Sequence, residues 1–343
     1  MDNRAKNAKL EITGIIGSTN IAGLPGFKFS INEEIGLSMP IMQITFTINL
    51  LKYAVDDIKL DQEFTLNRDN QKTSWKIANF TMPDENTINI IAFLNSYGFI
   101  HENKQSSTSG TSLDAIQSIT SLPVKINSPA KLGDKQIWIQ DNISDQSYCY
   151  NTLLHSNPKD TFFLYTVSSD GTLYINDYAS LIQTPTVTFG GKDSDISYHQ
   201  ILIETIPISF RLRVLNSQFI SKQQVAQDSY AGKDTSDLSN IYAVGLDCGN
   251  TYEGYDLAYN TINSYYLTFL EKLYSFNSRG GKYVKPLDVI KMDTYVDNSN
   301  TAVKSSMIGK NYIVTKVFTS QDDDSVMNQR IWFARIPDAN SST

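Results

Sequence analysis

Two cysteines and three histidines in 343 residues leave little room for thiol or metal chemistry. Cys149 and Cys248 are too few for a disulfide framework or a zinc site. His101, His155 and His199 stand in no ligand or catalytic motif, and a histidine without a positioned partner is usually a surface or packing residue. No run of about 18 apolar residues occurs, so no helix is expected to cross a bilayer. Met1 leads into Asp2-Asn3-Arg4 rather than an apolar stretch, which predicts no secretory leader and synthesis in a reducing cytoplasm. Basic excess is missing too. The formal charge is −7 and the pI near 5.0, which is no footprint for sequence-specific nucleic-acid binding.

Other chemistry is incomplete where it is hinted at. Asp322-Asp323-Asp324 lacks the glycine and downstream glutamate of a calcium loop, and reads as a solvated hairpin tip. Ser278-Arg279-Gly280-Gly281-Lys282 lacks the spacing of a phosphate loop. Asn79-Phe80-Thr81 and Asn142-Ile143-Ser144 match a glycosylation pattern that has meaning only after secretion. Cys149 falls on the apolar side of its helix and reads as inert core. No catalytic, cofactor-binding or metal residue is assigned, and no cofactor is expected. A pair of acids flanking a glycan cleft is meaningful only at set distances in space.

What is present is β-forming material in quantity. Hydrophobic residues make up 41% of the chain, with 16 Phe and 19 Tyr, enough for sizeable cores. The length suits two or three domains. Leu10 to Gly17 and Phe27 to Ile31 read as strands around the Gly23-Leu24-Pro25-Gly26 turn. Met42, Ile44, Phe46, Ile48 and Leu50 then alternate with Gln43, Thr45, Thr47 and Asn49, so one set faces a core and the other an exposed or partner-facing side. Glu63 to Leu66 and Thr73 to Ile77 continue the β pattern. Ile88, Ile91 and Leu94 recur at helical spacing, with Gly98 placed to stop that helix. Lys104 to Gly110 has no apolar residue and reads as an exposed linker. Thr111, with Asp114 three positions on, caps a helix carrying Leu113, Ile116 and Ile119.

The next stretch is the best punctuated. Ile137-Trp138-Ile139 predicts a strand that ends at Asp141-Asn142, and Ser144 caps a helix with Cys149, Leu153, Tyr150 and Leu154 at four-residue spacing. Asn157-Pro158 closes it. Thr161 to Val167 and Thr172 to Tyr178 flank Ser168-Ser169-Asp170-Gly171, where Asp-Gly predicts a two-residue hairpin turn. This unit ends near Thr184-Pro185, with a second break at Gly190-Gly191-Lys192-Asp193. Beyond it, Ile208, Phe210, Leu212 and Val214 alternate with Ser209, Arg211 and Arg213, a strand with a basic outer face. Residues 221–239 read as a polar loop. Ala258, Ile262, Tyr266, Leu270 and Leu273 mark a long helix ending before Gly280-Gly281. Leu287 to Asp293, Lys310 to Thr319 and Arg330 to Ile336 read as closing strands. Tyr252, Tyr255 and Tyr259 suggest a sugar platform, though packing beside that helix accounts for them better.

Trp138-Ile139-Gln140-Asp141-Asn142, Leu153-Leu154-His155, Phe163-Leu164-Tyr165 and Asp170 to Asp177, in that order, resemble the middle of the central baseplate hub proteins of contractile-tailed phages. Pro286-Leu287-Asp288-Val289, Gly309 to Val314 and Ile331-Trp332-Phe333 resemble the closing barrel of the same family. The resemblance implies a mainly β, α+β chain: two tube-like antiparallel β-barrel domains, each with a helix, over 1–103 and 191–343 (the second possibly discontinuous). An α/β insertion would occupy 104–190. It implies a non-enzymatic virion protein, made in the host cytoplasm and placed in the tail baseplate. Three copies would adapt a six-fold tail tube to a three-fold central spike, with other baseplate proteins as neighbours. DNA or tape-measure protein would pass through the ring without specific binding, and no membrane insertion is implied. The alternatives are a tail-associated peptidoglycan hydrolase and a β-rich receptor- or carbohydrate-binding module.

Overall fold

The computed structural model describes residues 10–48, 58–68, 71–128, 132–156, 163–181, 185, 187–189, 202–205, 272–279, 283–292, 309–321 and 327–335. The opening segment supplies β1 (Leu10–Thr13), β2 (Lys28–Glu34), β3 (Ile41–Thr47), β4 (Glu63–Arg68), β5 (Gln71–Thr81), β6 (Thr87–Leu94) and the short helix α1 (Tyr97–Ile100). The middle supplies β7 (Asn103–Gly110), α2 (Ser112–Ile119), β8 (Val124–Asn127), β9 (Gln136–Ser144), α3 (Asp145–Leu154), β10 (Phe163–Val167), β11 (Leu173–Asp177) and α4 (Tyr178–Leu181). Then come β12 (Val187–Phe189), β13 (Leu202–Thr205), β14 (Lys272–Arg279), β15 (Val289–Met292), β16 (Asn311–Gln321) and β17 (Met327–Arg335). The fold is mainly β with a few helices, as its residue pattern predicts.

One wide sheet carries the architecture, in the order β1-β4-β5-β6-β3-β2-β16-β17-β14-β13, with β15 and β12 branching from β16. It draws strands from both ends of the sequence. They meet at an antiparallel seam where β2 pairs β16 from Glu34↔Lys316 to Phe29↔Gln321. β3 forms because its side chains alternate cleanly: Met42, Ile44 and Phe46 are buried while Gln43 is exposed. Trp75, Ile77, Ile88 and Ile90 fill the same core, which extends to Cys149 and Leu153 of α3. A second core under the closing strands gathers Phe189, Phe276, Tyr312, Val314, Val317, Ile331 and Phe333, with Phe333 edge-on to both Phe276 and Tyr312.

The hairpin β10–β11 is buried on both faces. Phe163, Val167, Leu173 and Ile175 enter the first core, while Leu164 packs with Leu287, Val289 and Ile313. That double burial explains why its strands read as continuous apolar runs rather than as an alternation. Its loop spans three residues, Ser169-Asp170-Gly171, rather than the expected two. Val167 still pairs Leu173, Gly171 N–H donates to Ser168 O, and only Gly171 has positive φ, at +81°. Asp170 Oδ1 accepts from Thr172 N–H, which fixes the loop from within.

Several expectations hold. Thr111 and Asp114 cap α2 reciprocally, and Ser144 Oγ accepts from Ser147 N–H at the start of α3. Others need correction. The stretch with Ile88, Ile91 and Leu94 is strand β6, paired along its length with β3 and β5; apolar residues stand on both of its faces, which imitates a helical period. Gly98 therefore stops no helix; it lies within α1. Lys104 to Gly110 is strand β7, paired with β9, and not an open linker: β9 supplies the backbone partners that its polar side chains cannot replace. Asp141-Asn142 does not end the preceding strand. Lys104 pairs Ile143 and Gln105 pairs Asp141, so Asn142, at φ +51°, is the extra residue of a bulge. Leu273 belongs to strand β14, paired between β13 and β17, so the expected long helix does not reach that residue. Its earlier positions, Ala258 to Leu270, lie outside the described residues, as do the Arg211-Arg213 strand, the 221–239 loop and Asn157-Pro158.

Candidate functional site

The wide sheet has one side turned away from the core. Its outward residues form rows across the strands. One row runs Phe93–Ile41–Asn32–Phe318–Arg330 over β6, β3, β2, β16 and β17. The next runs Ile91–Gln43–Ser30–Ser320–Asn328, and a third Asn89–Thr45–Lys28. Thr45 Oγ1 donates to Asn89 Oδ1 at 2.8 Å within this surface. Over β3, β2 and β16 the first two rows are uncharged, and beside them the central strands carry an ion pair, Lys316 with Glu34 at 3.5 Å. Lys76 of β5 faces Glu63 of β4 at 3.6 Å. Arg330 lies 4.8 Å over the Trp332 ring. Ile41, Ile91 and Phe318 add exposed apolar area to these rows.

Behind the sheet, a polar joint ties three parts of the chain together. Glu33 projects from β2 to the core side and is 1% exposed. Its Oε1 accepts from Ser169 N–H at 2.7 Å and from the Ser168 hydroxyl at 3.4 Å, both at the β10–β11 tip. Arg68 at the end of β4 reaches the Ser169 hydroxyl at 3.5 Å and lies 4.5 Å over the Tyr283 ring. On the other side of the tip, Tyr174 donates its hydroxyl to Asp170 Oδ2 at 2.6 Å, and Lys285 Nζ donates to that Tyr174 oxygen at 3.2 Å. Lys285 N–H donates to Asp288 Oδ2 at 2.9 Å. Burial pushes the Asp288 carboxyl above the usual range, with the Lys285 contacts opposing and the Glu33 charge reinforcing the rise. The Lys285 ammonium is held above its ordinary value. Burial works against its charge, but Tyr174, Asp170 and Asp288 outweigh it.

A second polar cluster organises the middle of the chain around Asp145. Lys104 Nζ, Gln140 Nε2 and Ser121 N–H donate to its carboxylate at 2.9, 2.9 and 2.7 Å. Burial would raise its pKa, yet these hydrogen bonds hold it below the usual carboxylate range.

Among the described residues, those weighed in the sequence gather into no reaction centre. His101 closes α1 with its ring 5.0 Å from Tyr97, and buried His155 holds Asn151 O through Nδ1 at 2.7 Å. Cys149 is buried, and burial pushes its thiol up to about 12, far from a reactive thiolate. Asn79 and Asn142 lie in strands β5 and β9, and Ser278 and Arg279 in β14. His199, Cys248, Asp322 to Asp324, Gly280 to Lys282, Tyr252, Tyr255 and Tyr259 lie outside the described residues. Among the described residues no three His, Cys, Asp or Glu side chains gather as a metal site would require. No described helix is long and apolar enough to cross a membrane. The polar joint went unread in the sequence. Its one signal was Glu33, a carboxylate at an inward position of an alternating strand.

No protein-family model and no curated protein matches the chain. Solved structures do. A tail protein from Neisseria meningitidis MC58 superposes with TM-score 0.59 at 10% identity, over 95% of this chain and 96% of that one. The 43 kDa tail protein of prophage MuSo2 from Shewanella oneidensis gives 0.62 at 14% identity, over 96% and 97%. An E. coli component of the type VI secretion system, described as similar to T4 bacteriophage tail proteins gp27 and gp5, gives 0.56 at 12% identity over 96% and 77%. The chain has a phage-tail protein fold.

Proposed function

We propose that this chain is a structural protein of a phage-type tail or a related injection machine, working as a baseplate hub. In this reading three copies close a ring between a six-fold tail tube and a three-fold central spike, within the virion and beside other baseplate proteins. Three units, 1–103, 104–190 and 191–343, supply two tube-like parts and an insertion. The observation that carries the reading is the continuous outer face of the wide sheet, which crosses the β2–β16 seam with two uncharged rows, Asn32–Phe318 and Ser30–Ser320, beside Glu34 and Lys316, which neutralise each other. Non-specific DNA affinity comes mainly from cations neutralising phosphates, so a neutral wall lets a polyanion pass without being held. The tail-protein fold supports the same assignment. The protein acts as scaffold and conduit and catalyses no reaction.

The test is electron microscopy of the purified chain, alone and with its spike, together with DNA retention at low salt. Rings with three-fold symmetry and weak, salt-insensitive DNA retention are expected. Isolated particles in both preparations sink the ring. Tight, salt-sensitive DNA binding sinks the passive wall, and turnover of cell-wall glycan would favour the hydrolase reading instead.

A further inference from the structure

The chain contains one Asp-Gly step, Asp170-Gly171, and no Asn-Gly. Such a step exposes the backbone to attack from within. Glycine has no Cβ to hinder its nitrogen, and its backbone freedom lets that nitrogen reach the carboxyl carbon of the preceding aspartate. The nitrogen bonds to Cγ and gives up its proton while one carboxyl oxygen leaves as water, which closes a five-membered imide. Water then re-enters. Opening the ring at the former side-chain carbonyl restores aspartate. Opening it at the main-chain carbonyl leaves isoaspartate, with the chain routed through Cβ and Cγ and the mass unchanged.

Both ends of that closure are engaged in this fold. Gly171 N–H donates to Ser168 O at 2.9 Å. Asp170 Oδ1 accepts from Thr172 N–H at 3.0 Å, and Oδ2 accepts from the Tyr174 hydroxyl at 2.6 Å. Lys285 Nζ stands 3.8 Å from the same Oδ2, donates to the Tyr174 oxygen at 3.2 Å and lies 4.3 Å from the centre of the Tyr174 ring. The Asp170 side chain is only 12% exposed. Water for the second step is at hand, because Asp170 and Gly171 border a groove of about 470 Å³ beside Asn95 and Leu122. We propose that Asp170-Gly171 is a latent site of spontaneous isomerisation, and that Tyr174 and Lys285 guard it by holding the Asp170 carboxyl. The stake is the joint itself. Isoaspartate inserts one backbone carbon between Ser169 and Gly171, inside a loop of three residues, and so draws Ser169 N–H off Glu33 Oε1. The clamp on one side of the tip thus preserves the contact on the other.

The full chain is aged at neutral pH, at a temperature where parent and variants all stay folded by circular dichroism, and again in denaturing urea. Isoaspartate at residue 170 is counted by chromatography of the equal-mass peptide isomers. The folded chain should isomerise at least about tenfold more slowly than the unfolded one, because reaction waits on local opening of the tip. Tyr174→Phe removes one hydroxyl and little else, and should speed isomerisation of the folded chain at least about fivefold through the lost hydrogen bond to a carboxylate. Lys285→Met should act in the same direction. Phe46→Ala weakens the distant core and should leave the rate unchanged. Equal rates in the folded and unfolded chain overturn the proposal. So do rates in Tyr174→Phe and Lys285→Met that match the parent's. An acceleration by Phe46→Ala as large as theirs makes global folding the guard and overturns it equally.

Discussion

Lys316 on β16 stands directly across the sheet from Glu34 on β2, with Nζ 3.5 Å from Oε2. The pair marks the seam between strands that lie almost the whole sequence apart. Both side chains are more than a third exposed, so water and salt screen their attraction. A double-mutant cycle with Glu34→Gln and Lys316→Met should return a coupling below about 1 kcal/mol that shrinks further in high salt. A large, salt-resistant coupling would mean that the seam is held by charge rather than by backbone pairing and by Val317 beneath it.

The two faces of β3 should respond oppositely to truncation. Phe46 is fully buried, and Phe46→Ala should cost about 3–5 kcal/mol. Gln43 faces outward, and Gln43→Ala should change stability by no more than about 0.5 kcal/mol. Urea midpoints for the two variants check both figures. Equal effects would contradict the orientation of the strand.

Acid should loosen the middle of the chain through Asp145. Its folded pKa is depressed, so its contribution is present above the unfolded carboxylate pKa and is lost as pH falls through the folded value. Asp145→Asn should destabilise at pH 7 by about 1–3 kcal/mol, the scale of hydrogen bonds to a charged group. The gap from the parent should close below about pH 4. A gap that persists at low pH would assign the loss to shape rather than charge.

Asp288 should behave with the opposite sign. Its folded pKa is raised, so ionisation works against the fold, and that penalty is relieved as pH drops through the folded value. Asp288→Asn removes the penalty while keeping an acceptor for Lys285 N–H. The variant should match or exceed the parent's thermal midpoint at pH 7, and lose that advantage in acid. Strong destabilisation at pH 7 would show that Lys285 depends on the full negative charge.

Gly171 tests the hairpin tip. A Cβ there meets nothing within 4 Å, so the cost of Gly171→Ala is purely that of holding φ at +81°. About 1–2 kcal/mol is expected. A D-alanine at the same position, introduced by semisynthesis, should restore the parent's midpoint.

Local signals were readable where each residue answered to its own neighbours. Thr111 with Asp114, Ser144, and the alternation of β3 all rest on contacts within a few positions, and the structure has each of them. The neutral wall was legible only as one strand, Gln43-Thr45-Thr47-Asn49, of which Asn49 lies outside the described residues. Its spread over β2 and β16 depends on pairing across nearly 300 residues, which no local pattern encodes. β6 misled because Ile91 and Phe93 put apolar side chains on the outer face as well. β7 misled for the converse reason: a strand in a two-stranded ribbon needs no apolar residue when its partner supplies Trp138. The joint around Glu33 had no local pattern, since its members come from four separated segments.

The antiparallel seam has a mechanical consequence. Its hydrogen bonds run perpendicular to β2 and β16. Tension that drags one strand lengthwise past the other loads all six pairs together, from Glu34↔Lys316 to Phe29↔Gln321, and they must rupture at once. Tension that peels the strands apart sideways meets them one at a time. The chain is therefore strong along its strands and weak across them, and a pulling experiment with handles on Glu34 and Gln321 should record a markedly different rupture force from one with handles on Glu34 and Lys316.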